Sequence, residues 1–416
     1  AGQDEANLIE AEQISNRALN ICQSQPLGPV HINIPLREPF YPDSINELTI
    51  DWKNESPELS AESVDLKFFS DTLAKYSKRL LLIGQQQDEN VSKQAKAFAD
   101  RYGFVLIGDN ISNIQNGIKN HDQFLRGLSK EELIPDLLIS TDKSIISKSL
   151  KLLLRNGKIR AHWHIQDNPA FIDPFRSLTK KVELESAIFF RQTSECNSVT
   201  IDSAYQNTWK TLEDEAATDI KTFFDKPVFS EFHILKAILE QIPANSIIHS
   251  GNSMSVRYLN ALQSLTEPGV AVYCNRGTSG IDGSLSTAVG QALSTKKEVY
   301  CILGDLSFQY DKNALWNKYV PENLNIVILN NAGGIIFSMI DGPKKQDSFE
   351  DFFRTEQPNK ANLIAEEYDL DYISIASQEE IDIKISQFIS AKRSTILEVF
   401  TNYEENVAAF KRFTTK

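Results

Sequence analysis

Two apolar runs that end in short polar turns most constrain the fold of this 416-residue chain. VYCIL (299–303) and NIVIL (325–329) have the length and composition of buried strands in a parallel sheet. Gly304-Asp305 follows the first run, and Asn330-Asn331 with Gly333-Gly334 follows the second. Because the carboxyl ends of parallel strands meet at one edge of a sheet, we expect a carboxylate and two amides to lie close together there.

Helix-like and strand-like segments alternate along most of the chain. The strand-like runs RLLLIG, FVLIGD, PDLLIST and IRAHWHIQD are separated by helical patterns, and the alternation resumes after residue 228. Such alternation predicts α/β domains, each a doubly wound parallel sheet with helices on both faces. We assign a central α/β domain to 63–195 and a second one to 229–416, joined by a mixed, polar linker at 196–228.

The first 62 residues predict the remnant of a third domain. A helical pattern covers residues 4–21, and the run GPVHINIP alternates like a strand. One helix and one strand cannot bury a core of their own. We therefore expect 1–42 to be the end of a further domain, followed by a polar linker at 43–62; prolines at 39, 42 and 57 punctuate this part of the chain.

Composition excludes several classes of partner. The formal charge of −13 argues against a nucleic-acid ligand, which needs clustered Lys and Arg. Four scattered cysteines without a CxxC pair predict reduced thiols. No run approaches the roughly 18 apolar residues of a membrane span, and the acidic start AGQDEANLIE differs from a signal peptide. We expect a cytoplasmic protein with no nucleic-acid and no membrane partner.

Four corners of the second domain combine glycine with polar residues. They are GNSMSVR (251–257), NRGTSGIDG (275–283), GDLS (304–307) and NNAGGIIF (330–337). Glycine allows backbone to approach a ligand closely, and helix N-termini attract anions. A carboxylate, an amide oxygen and a backbone carbonyl suit Mg²⁺ that shares its shell with phosphate. The corner at 304–307 or the corner at 330–337 could by itself be an ordinary turn. Their combination predicts one cation, held by two strand ends, that binds a diphosphate.

The GD and NN pairs, with 24 residues between Asp305 and Asn330, resemble the thiamine diphosphate-binding motif of thiamine-dependent enzymes. In that motif the Asp, the second Asn and the carbonyl two residues later bind the metal, which implies Asp305, Asn331 and Gly333 here. The usual third residue of the motif is Gly, and this chain has Leu306. With GNSxxxR, NRGxSGIDG and GGxIFS, the pattern is similar to 2-succinyl-5-enolpyruvyl-6-hydroxy-3-cyclohexene-1-carboxylate (SEPHCHC) synthases, the MenD family of menaquinone biosynthesis.

The resemblance covers the chain from end to end, and the family has further sequence before it. Residues 1–42 resemble the end of the family's pyrimidine-binding domain, which supplies a glutamate to the cofactor, and 229–416 its diphosphate-binding domain. We therefore expect this chain to be inactive alone and the full-length protein to be a homodimer or homotetramer. Ala332 replaces a more usual Asn, a change of little expected consequence if only the backbone is used.

The resemblance implies thiamine diphosphate with Mg²⁺ (or Mn²⁺) as cofactors, and 2-oxoglutarate and isochorismate as substrates. The cofactor carries the carbon–carbon chemistry, and the protein orients it and binds the anionic substrates. The implied catalytic residues are Ser253, Arg257 and Arg276. The implied substrate-binding residues are Lys148, Ile336, Phe337 and Ile340. The implied cofactor-binding residues are Gly251, Asn252, Ser279, Ile281, Asp282, Gly304, Leu306 and Ser307.

Several of these residues have ordinary structural alternatives. Ser253 could cap a helix, and Asp282 could either serve the cofactor or cap the next helix. Ile281 and the apolar residues after 335 could belong to the core, and Lys148 could be a surface lysine.

Two other functions compete with this hypothesis. The chain could be another thiamine-dependent 2-oxoacid decarboxylase or synthase, although Arg257 and Arg276 suit dianionic substrates better than pyruvate. It could instead be a noncatalytic nucleotide-binding module, because its central domain resembles a fold that holds FAD in relatives. That domain has no GxGxxG motif, since GQQQDEN follows its first strand, and we expect it to hold no flavin.

Overall fold

A computed structural model describes residues 5–24, 27–33, 63–126, 131–141, 143–167, 173–197, 200–340 and 342–415. Helix α1 (Glu5–Gln23) confirms the first predicted helix. The predicted strand after it was wrong for residues 28–33, which pair with no other strand of the described residues. A strand needs a neighbouring strand to bond its backbone groups. The predicted linker at 43–62 lies outside the described residues.

The next part of the chain forms a five-stranded parallel sheet, here called the first sheet. Its elements are α2 (Leu66–Lys75), β1 (Arg79–Ile83), α3 (Glu89–Tyr102), β2 (Phe104–Gly108), α4 (His121–Phe124), β3 (Leu137–Thr141), α5 (Lys148–Asn156), β4 (Ala161–Ile165), β5 (Lys180–Val182) and α6 (Ser186–Thr193). The strand order is β2-β1-β3-β4-β5, and all neighbours are parallel. Strands β1 to β4 are buried along their whole length, as expected for parallel strands covered on both faces.

The second sheet has six parallel strands and carries the four glycine-rich corners. Its elements are α8 (Glu231–Leu239), β6 (Ile247–Ser250), α9 (Met254–Ala261), β7 (Ala271–Cys274), α10 (Ser284–Leu293), β8 (Val299–Gly304), α11 (Asp305–Asp311), β9 (Leu324–Asn330), α12 (Asn362–Glu367), β10 (Asp371–Ile375), α13 (Ile381–Ile389), β11 (Thr395–Phe400) and α14 (Tyr403–Thr414). The strand order is β10-β11-β9-β8-β6-β7. The chain adds strands toward one edge of the sheet after β6 and toward the other edge after β8, so the switch point lies between these two parallel strands. Ligands of open α/β sheets bind at such a switch point.

Strand β8 shows how the second sheet buries both of its faces. Val299, Cys301 and Leu303 pack into one apolar cluster with α10, while Tyr300 and Ile302 pack into another with α8 and α13. Side chains of a strand alternate between faces, so an unbroken apolar run is what a sheet covered on both sides requires. The two sheets together confirm the predicted α/β class.

The segment predicted as a linker at 196–228 contains a 21-residue helix, α7 (Ala204–Phe224). Trp209 is fully buried in the core beside the first sheet. Near the other end of the helix, Phe224 packs 5.3 Å from Phe232 of α8, measured between ring centroids. Helix α7 therefore packs beside the first sheet at one end and against α8, a helix of the second sheet's domain, at the other. Its few buried residues are spaced among polar ones, which hid the helix in the sequence.

Asparagine side chains bond the two sheets together next to the predicted site. Asn113 accepts a hydrogen bond from Val272 N at 2.7 Å and donates one to Val272 O at 3.1 Å, completing the edge of β7. Asn260 Oδ1 accepts from Asn110 N at 3.0 Å. These bonds fix the first sheet against the strand that precedes the 275–283 corner.

Two further features concern the described helices and the cysteines. Among the described helices, none combines the length and the apolar character that crossing a bilayer requires. The four cysteines carry free thiols, three of them buried.

Candidate active site

A cavity of about 450 Å³ lies at the carboxyl ends of β6, β8 and β9, where the four corners meet. Most of the predicted site residues line it: Asn252, Ser253, Arg257, Arg276, Ser279, Ile281, Gly304, Asp305, Leu306, Ser307, Asn331, Gly333, Ile336 and Phe337. The sheet topology brings them together from positions almost ninety residues apart in the chain. This is the arrangement expected for a ligand site at a switch point.

Four predicted residues lie outside the cavity lining. Gly251 lies behind it, and its N–H donates to Ile302 O at 2.7 Å. Asp282 is exposed, and Gly283 rather than Asp282 is the N-cap of α10. Ile340 is 44% exposed, beyond the short 3₁₀ turn that carries its apolar neighbours. Lys148 is exposed in the first turn of α5.

Asp305 is buried at the start of α11, with hydrogen bonds to both carboxylate oxygens. Oδ1 accepts from Leu306 N at 2.8 Å, and Oδ2 accepts from Gln357 Nε2 at 2.9 Å. Burial raises the pKa of Asp305 to about 6, although these donors and the N–H of Gly333 favour the charged form. The Gly333 N–H lies near enough to the carboxylate to lower its pKa, which places Asp305 against the loop that follows Asn331. Without a cation, the burial of this charge is costly.

Asn331 has one satisfied and one unsatisfied polar atom. Its Nδ2 donates to Glu231 Oε1 at 2.6 Å, and its Oδ1 is buried without a hydrogen-bond partner among the described residues. A buried carbonyl oxygen without a partner costs free energy, which binding to a hard cation would offset. An unsatisfied oxygen in the same cavity as the buried carboxylate of Asp305 is the feature expected of a ligand to Mg²⁺.

The chemistry of these donors fits a cation that shares its shell with phosphate. In the described part of the chain, no group of three or more His, Cys, Asp or Glu side chains is placed to hold a metal. The Gly333 carbonyl accepts from Ile335 N at 3.1 Å and keeps a second lone pair. Asp305, Asn331 and this carbonyl would leave further positions for phosphate oxygens and water, which Mg²⁺ commonly retains.

Two arginines line the same cavity. Arg276 Nη1 donates to Asn252 Oδ1 at 2.7 Å, and its Nε is buried with no hydrogen-bond partner among the described residues. Arg257 Nη1 donates to Ser253 O at 2.5 Å. Arg257 has an exposed surface on the cavity side. The surrounding protein still removes part of its hydration, and this loss, together with the charge of Arg276, lowers the pKa of Arg257. Two neighbouring guanidinium groups favour a ligand that carries more than one carboxylate.

Comparison with known proteins agrees with this geometry. Residues 50–249 match the family model "Middle domain of thiamine pyrophosphate", and residues 254–399 match "Thiamine pyrophosphate enzyme, C-terminal TPP binding domain". SEPHCHC synthase of Cytophaga hutchinsonii is 36% identical over 409 residues, which are 96% of this chain and 72% of that protein. The chain belongs to the SEPHCHC synthase family. The enzymes of the same name from Flavobacterium psychrophilum and Desulfotalea psychrophila are each 34% identical, over 96% and 95% of this chain and 74% and 73% of their own lengths.

Membership makes this chain a thiamine diphosphate-dependent transferase with the α/β fold of that class. Asn252 organises two of the cavity loops. Its Nδ2 donates to Asn275 O at 2.7 Å and to Gly280 O at 2.8 Å, while its Oδ1 accepts from Arg276. The side chain therefore orients a cavity arginine through its own hydrogen bonds.

Ser253 and Ser307 differ in how their hydroxyl groups are used. Ser253 is the N-cap of α9 with φ 67° and makes no side-chain capping bond, so the simple capping alternative has no support. A non-glycine residue in this backbone region carries strain, which is frequent at functional sites. The Ser307 hydroxyl donates to Ile281 O and joins two corners of the cavity.

A further basic residue, Lys151 of α5, approaches the cavity arginines from the first-sheet side and was not among the predicted site residues. Burial lowers the pKa of Lys151, Asp109 opposes this shift, and Arg276 and Arg257 add to it. Lys151 therefore lies within electrostatic reach of both cavity arginines, one helical turn after the exposed Lys148. The run ISKSLK contains both lysines. Only their positions around the axis of α5 distinguish the exposed Lys148 from Lys151.

Glu231 and Gln357 were also missed, and both contact predicted metal ligands. Glu231 is 1% exposed, lines the cavity and bonds Asn331. Burial raises its pKa to about 7; the Asn331 hydrogen bond opposes this shift and the charge of Asp305 adds to it. Gln357 bonds Asp305 with its side chain and Ala332 O with its N–H, at 3.3 Å. A Glu in the first turn of a helix is common, so no local signal marked Glu231.

The loop after Asn331 adopts a conformation that its own sequence does not favour. Ala332 has φ 59°, in the left-handed region where Asn is enriched and Ala is not. The replacement of the family's Asn by Ala332 therefore affects the stability of this loop, while its small expected consequence for the site stays a prediction. The left-handed backbone at Ala332 costs free energy, because alanine adopts this region less readily than asparagine.

We expect Ala332→Asn to raise the free energy of unfolding by about 0.5 to 1 kcal/mol, because Asn tolerates the left-handed region better than Ala. Chemical denaturation of the chain measures the change. Ala332→Val at the same position is the control of opposite sign, since a β-branched residue with positive φ is strained. Equal midpoints for all three proteins would contradict the assignment of strain to this residue.

Proposed function

We propose that this chain carries the residues that bind thiamine diphosphate and Mg²⁺ in the catalyst that decarboxylates 2-oxoglutarate and adds the resulting carbanion to isochorismate, giving SEPHCHC in menaquinone biosynthesis. One observation supports the metal and the cofactor most strongly: the buried Oδ1 of Asn331, without a hydrogen-bond partner among the described residues, lines the same cavity as the buried carboxylate of Asp305. Family membership supports the reaction, because the named relatives are SEPHCHC synthases.

Three groups of this chain would hold the cation. Asp305 supplies a charged oxygen, Asn331 a neutral one, and Gly333 a backbone carbonyl, so that Mg²⁺ (or Mn²⁺) binds between two strand ends. When bound, thiamine diphosphate supplies the electron sink that decarboxylation requires. The protein's part is to fix the diphosphate through the cation and to shape the cavity around the thiamine ring.

The remaining cavity residues bind the substrates and exclude water. Arg276, oriented by Asn252, and Arg257 would each bind a carboxylate through two parallel hydrogen bonds. Ile281, Leu306, Ile336 and Phe337 form an apolar wall of the cavity. An apolar wall excludes water and strengthens the interaction of the guanidinium groups with anionic substrates.

Ligand binding tests this proposal without requiring turnover. Isothermal titration of the purified chain with thiamine diphosphate should show binding with Mg²⁺ or Mn²⁺ and none in EDTA. With cofactor and metal present, 2-oxoglutarate should bind at least about tenfold more tightly than pyruvate, since one further carboxylate–arginine pair contributes roughly 1.5 kcal/mol or more.

The same titrations distinguish the alternatives. Equal affinity for pyruvate and 2-oxoglutarate would favour another 2-oxoacid decarboxylase or synthase. Binding of FAD, with no response to thiamine diphosphate and metal, would instead favour a noncatalytic nucleotide-binding module.

A further inference from the structure

Two adjacent asparagines at the end of β9 are each held by a buried glutamate. Asn330 Nδ2 donates to Glu398 Oε1 at 2.7 Å, and Asn331 Nδ2 donates to Glu231 Oε1 at 2.6 Å. Both glutamates are 1% exposed. Asn330 Oδ1 accepts from Ala332 N at 3.1 Å, whereas Asn331 Oδ1 has no hydrogen-bond partner among the described residues. The two pairs therefore share their chemistry and differ in what the second amide atom does.

Both carboxyl oxygens of Glu231 accept hydrogen bonds, Oε1 from Asn331 Nδ2 and Oε2 from the Tyr258 hydroxyl. The Asn331 amide therefore turns its NH₂ group toward Glu231, which directs its oxygen away from Glu231. Glu231 is itself fixed, because the Tyr258 hydroxyl donates to Oε2 at 3.2 Å and the Glu231 N–H donates to Asn406 Oδ1 at 2.9 Å. Glu231 and Asn331 line the same cavity as Asp305.

We propose that Glu231 is a positioning residue: it fixes the Asn331 amide with the oxygen toward the divalent cation and so sets the affinity of the site for that cation. This inference rests on the proposed function, because it takes Asn331 to be a metal ligand. Groups that orient a metal ligand through a hydrogen bond commonly change metal affinity 10- to 100-fold when replaced. Glu231 acts through Asn331 and does not itself bind the cation.

The test is Glu231→Gln, measured by the affinity for Mn²⁺ in the presence of thiamine diphosphate. Electron paramagnetic resonance of free Mn²⁺ gives the dissociation constant without turnover. A glutamine can present either its NH₂ group or its oxygen to Asn331, so the orientation of the amide is no longer unique. We expect Mn²⁺ affinity to fall about tenfold.

Glu398→Gln is the matched control, because it makes the same change beside the neighbouring asparagine. Asn330 and Glu398 do not line the cavity, and we expect Mn²⁺ affinity to stay within about twofold of that of the unmodified chain. Thermal unfolding of both variants in EDTA establishes that they are folded. An equal loss of affinity in both variants would overturn the proposal, since it would reflect a general disturbance of this end of the sheet.

A double substitution separates positioning from simple charge removal. If Glu231 acts through Asn331, then Glu231→Gln should change Mn²⁺ affinity by less than about twofold in an Asn331→Ala background. A tenfold loss in both backgrounds would show that the charge of Glu231 matters by itself and would overturn the positioning role.

The unmodified chain distinguishes the two levels of the hypothesis. If it binds Mn²⁺ with thiamine diphosphate and Glu231→Gln binds as tightly, only the role of Glu231 is wrong. If the unmodified chain binds no Mn²⁺ with the cofactor, the proposed function is wrong, and the role of Glu231 with it.

Discussion

Asp305→Ala is expected to lower the affinity for thiamine diphosphate with Mg²⁺ at least about 100-fold, which corresponds to roughly 3 kcal/mol. Asp305 supplies the charged oxygen of the proposed cation site, and a carboxylate is the main protein ligand that Mg²⁺ uses beside phosphate. Loss of the cation leaves the diphosphate without the charge that holds it among the four corners. Titration calorimetry with and without Mg²⁺ measures the effect, and the difference between the two conditions should almost vanish in the variant.

Asp311→Ala is the matched control at the other end of the same helix. Asp311 is also buried, and its carboxylate accepts from Ser286 N at 2.7 Å and from Ser286 Oγ at 2.5 Å, outside the cavity lining. Its removal should reduce stability and leave cofactor affinity nearly unchanged. In the cation-free protein, Asp305→Ala should lower the free energy of unfolding less than Asp311→Ala does. Burial already disfavours the ionised carboxylate of Asp305, so its removal relieves part of that cost. Cation-dependent cofactor binding in Asp305→Ala equal to that of the unmodified chain would contradict the assigned site.

The sheets were predictable because each strand is marked by its own short stretch of sequence. Buried parallel strands are continuous apolar runs, and each run in β1 to β4, β8 and β9 ends at a visible turn. Helices α7 and α14 were missed for a different reason: their charged and polar residues outnumber the apolar ones that face the core. A helix with so few buried residues shows only a faint apolar periodicity. Its sequence does not predict a helix until the surface against which it packs is known.

The site residues also differ in whether local sequence was enough to predict them. The four corners were predictable because their glycines, arginines and polar residues are contiguous in sequence, and parallel topology then brings strand ends together. Glu231 lies 100 residues from Asn331, and Gln357 lies 52 from Asp305, so each contact depends on tertiary packing. The choice between Lys148 and Lys151 depends on where one helix begins. Contacts of this kind need the assembled fold.

Gly334→Ala should disrupt both the folding of the loop after Asn331 and the binding of the cofactor. A Cβ at this position would lie 2.6 Å from Phe353 O, a backbone atom that a side-chain rotation cannot move away. The Gly334 N–H also donates to Arg354 O at 2.6 Å, so the loop cannot withdraw without losing this bond. We expect a loss of about 1 to 3 kcal/mol in the free energy of unfolding, the usual cost of overpacking.

Displacement of this loop would also move Asn331 and the Gly333 carbonyl, so we expect cofactor affinity to fall at least about tenfold, since small misplacement of ligands weakens a metal site. Gly290→Ala provides the control. Gly290 lies inside α10, where an added methyl group would meet no neighbouring atom within 4 Å, and alanine there should stabilise the helix by about 1 kcal/mol. Denaturation and titration of both variants decide the matter. Unchanged stability and binding in Gly334→Ala would mean that the segment carrying Phe353 yields easily and that close packing does not require this glycine.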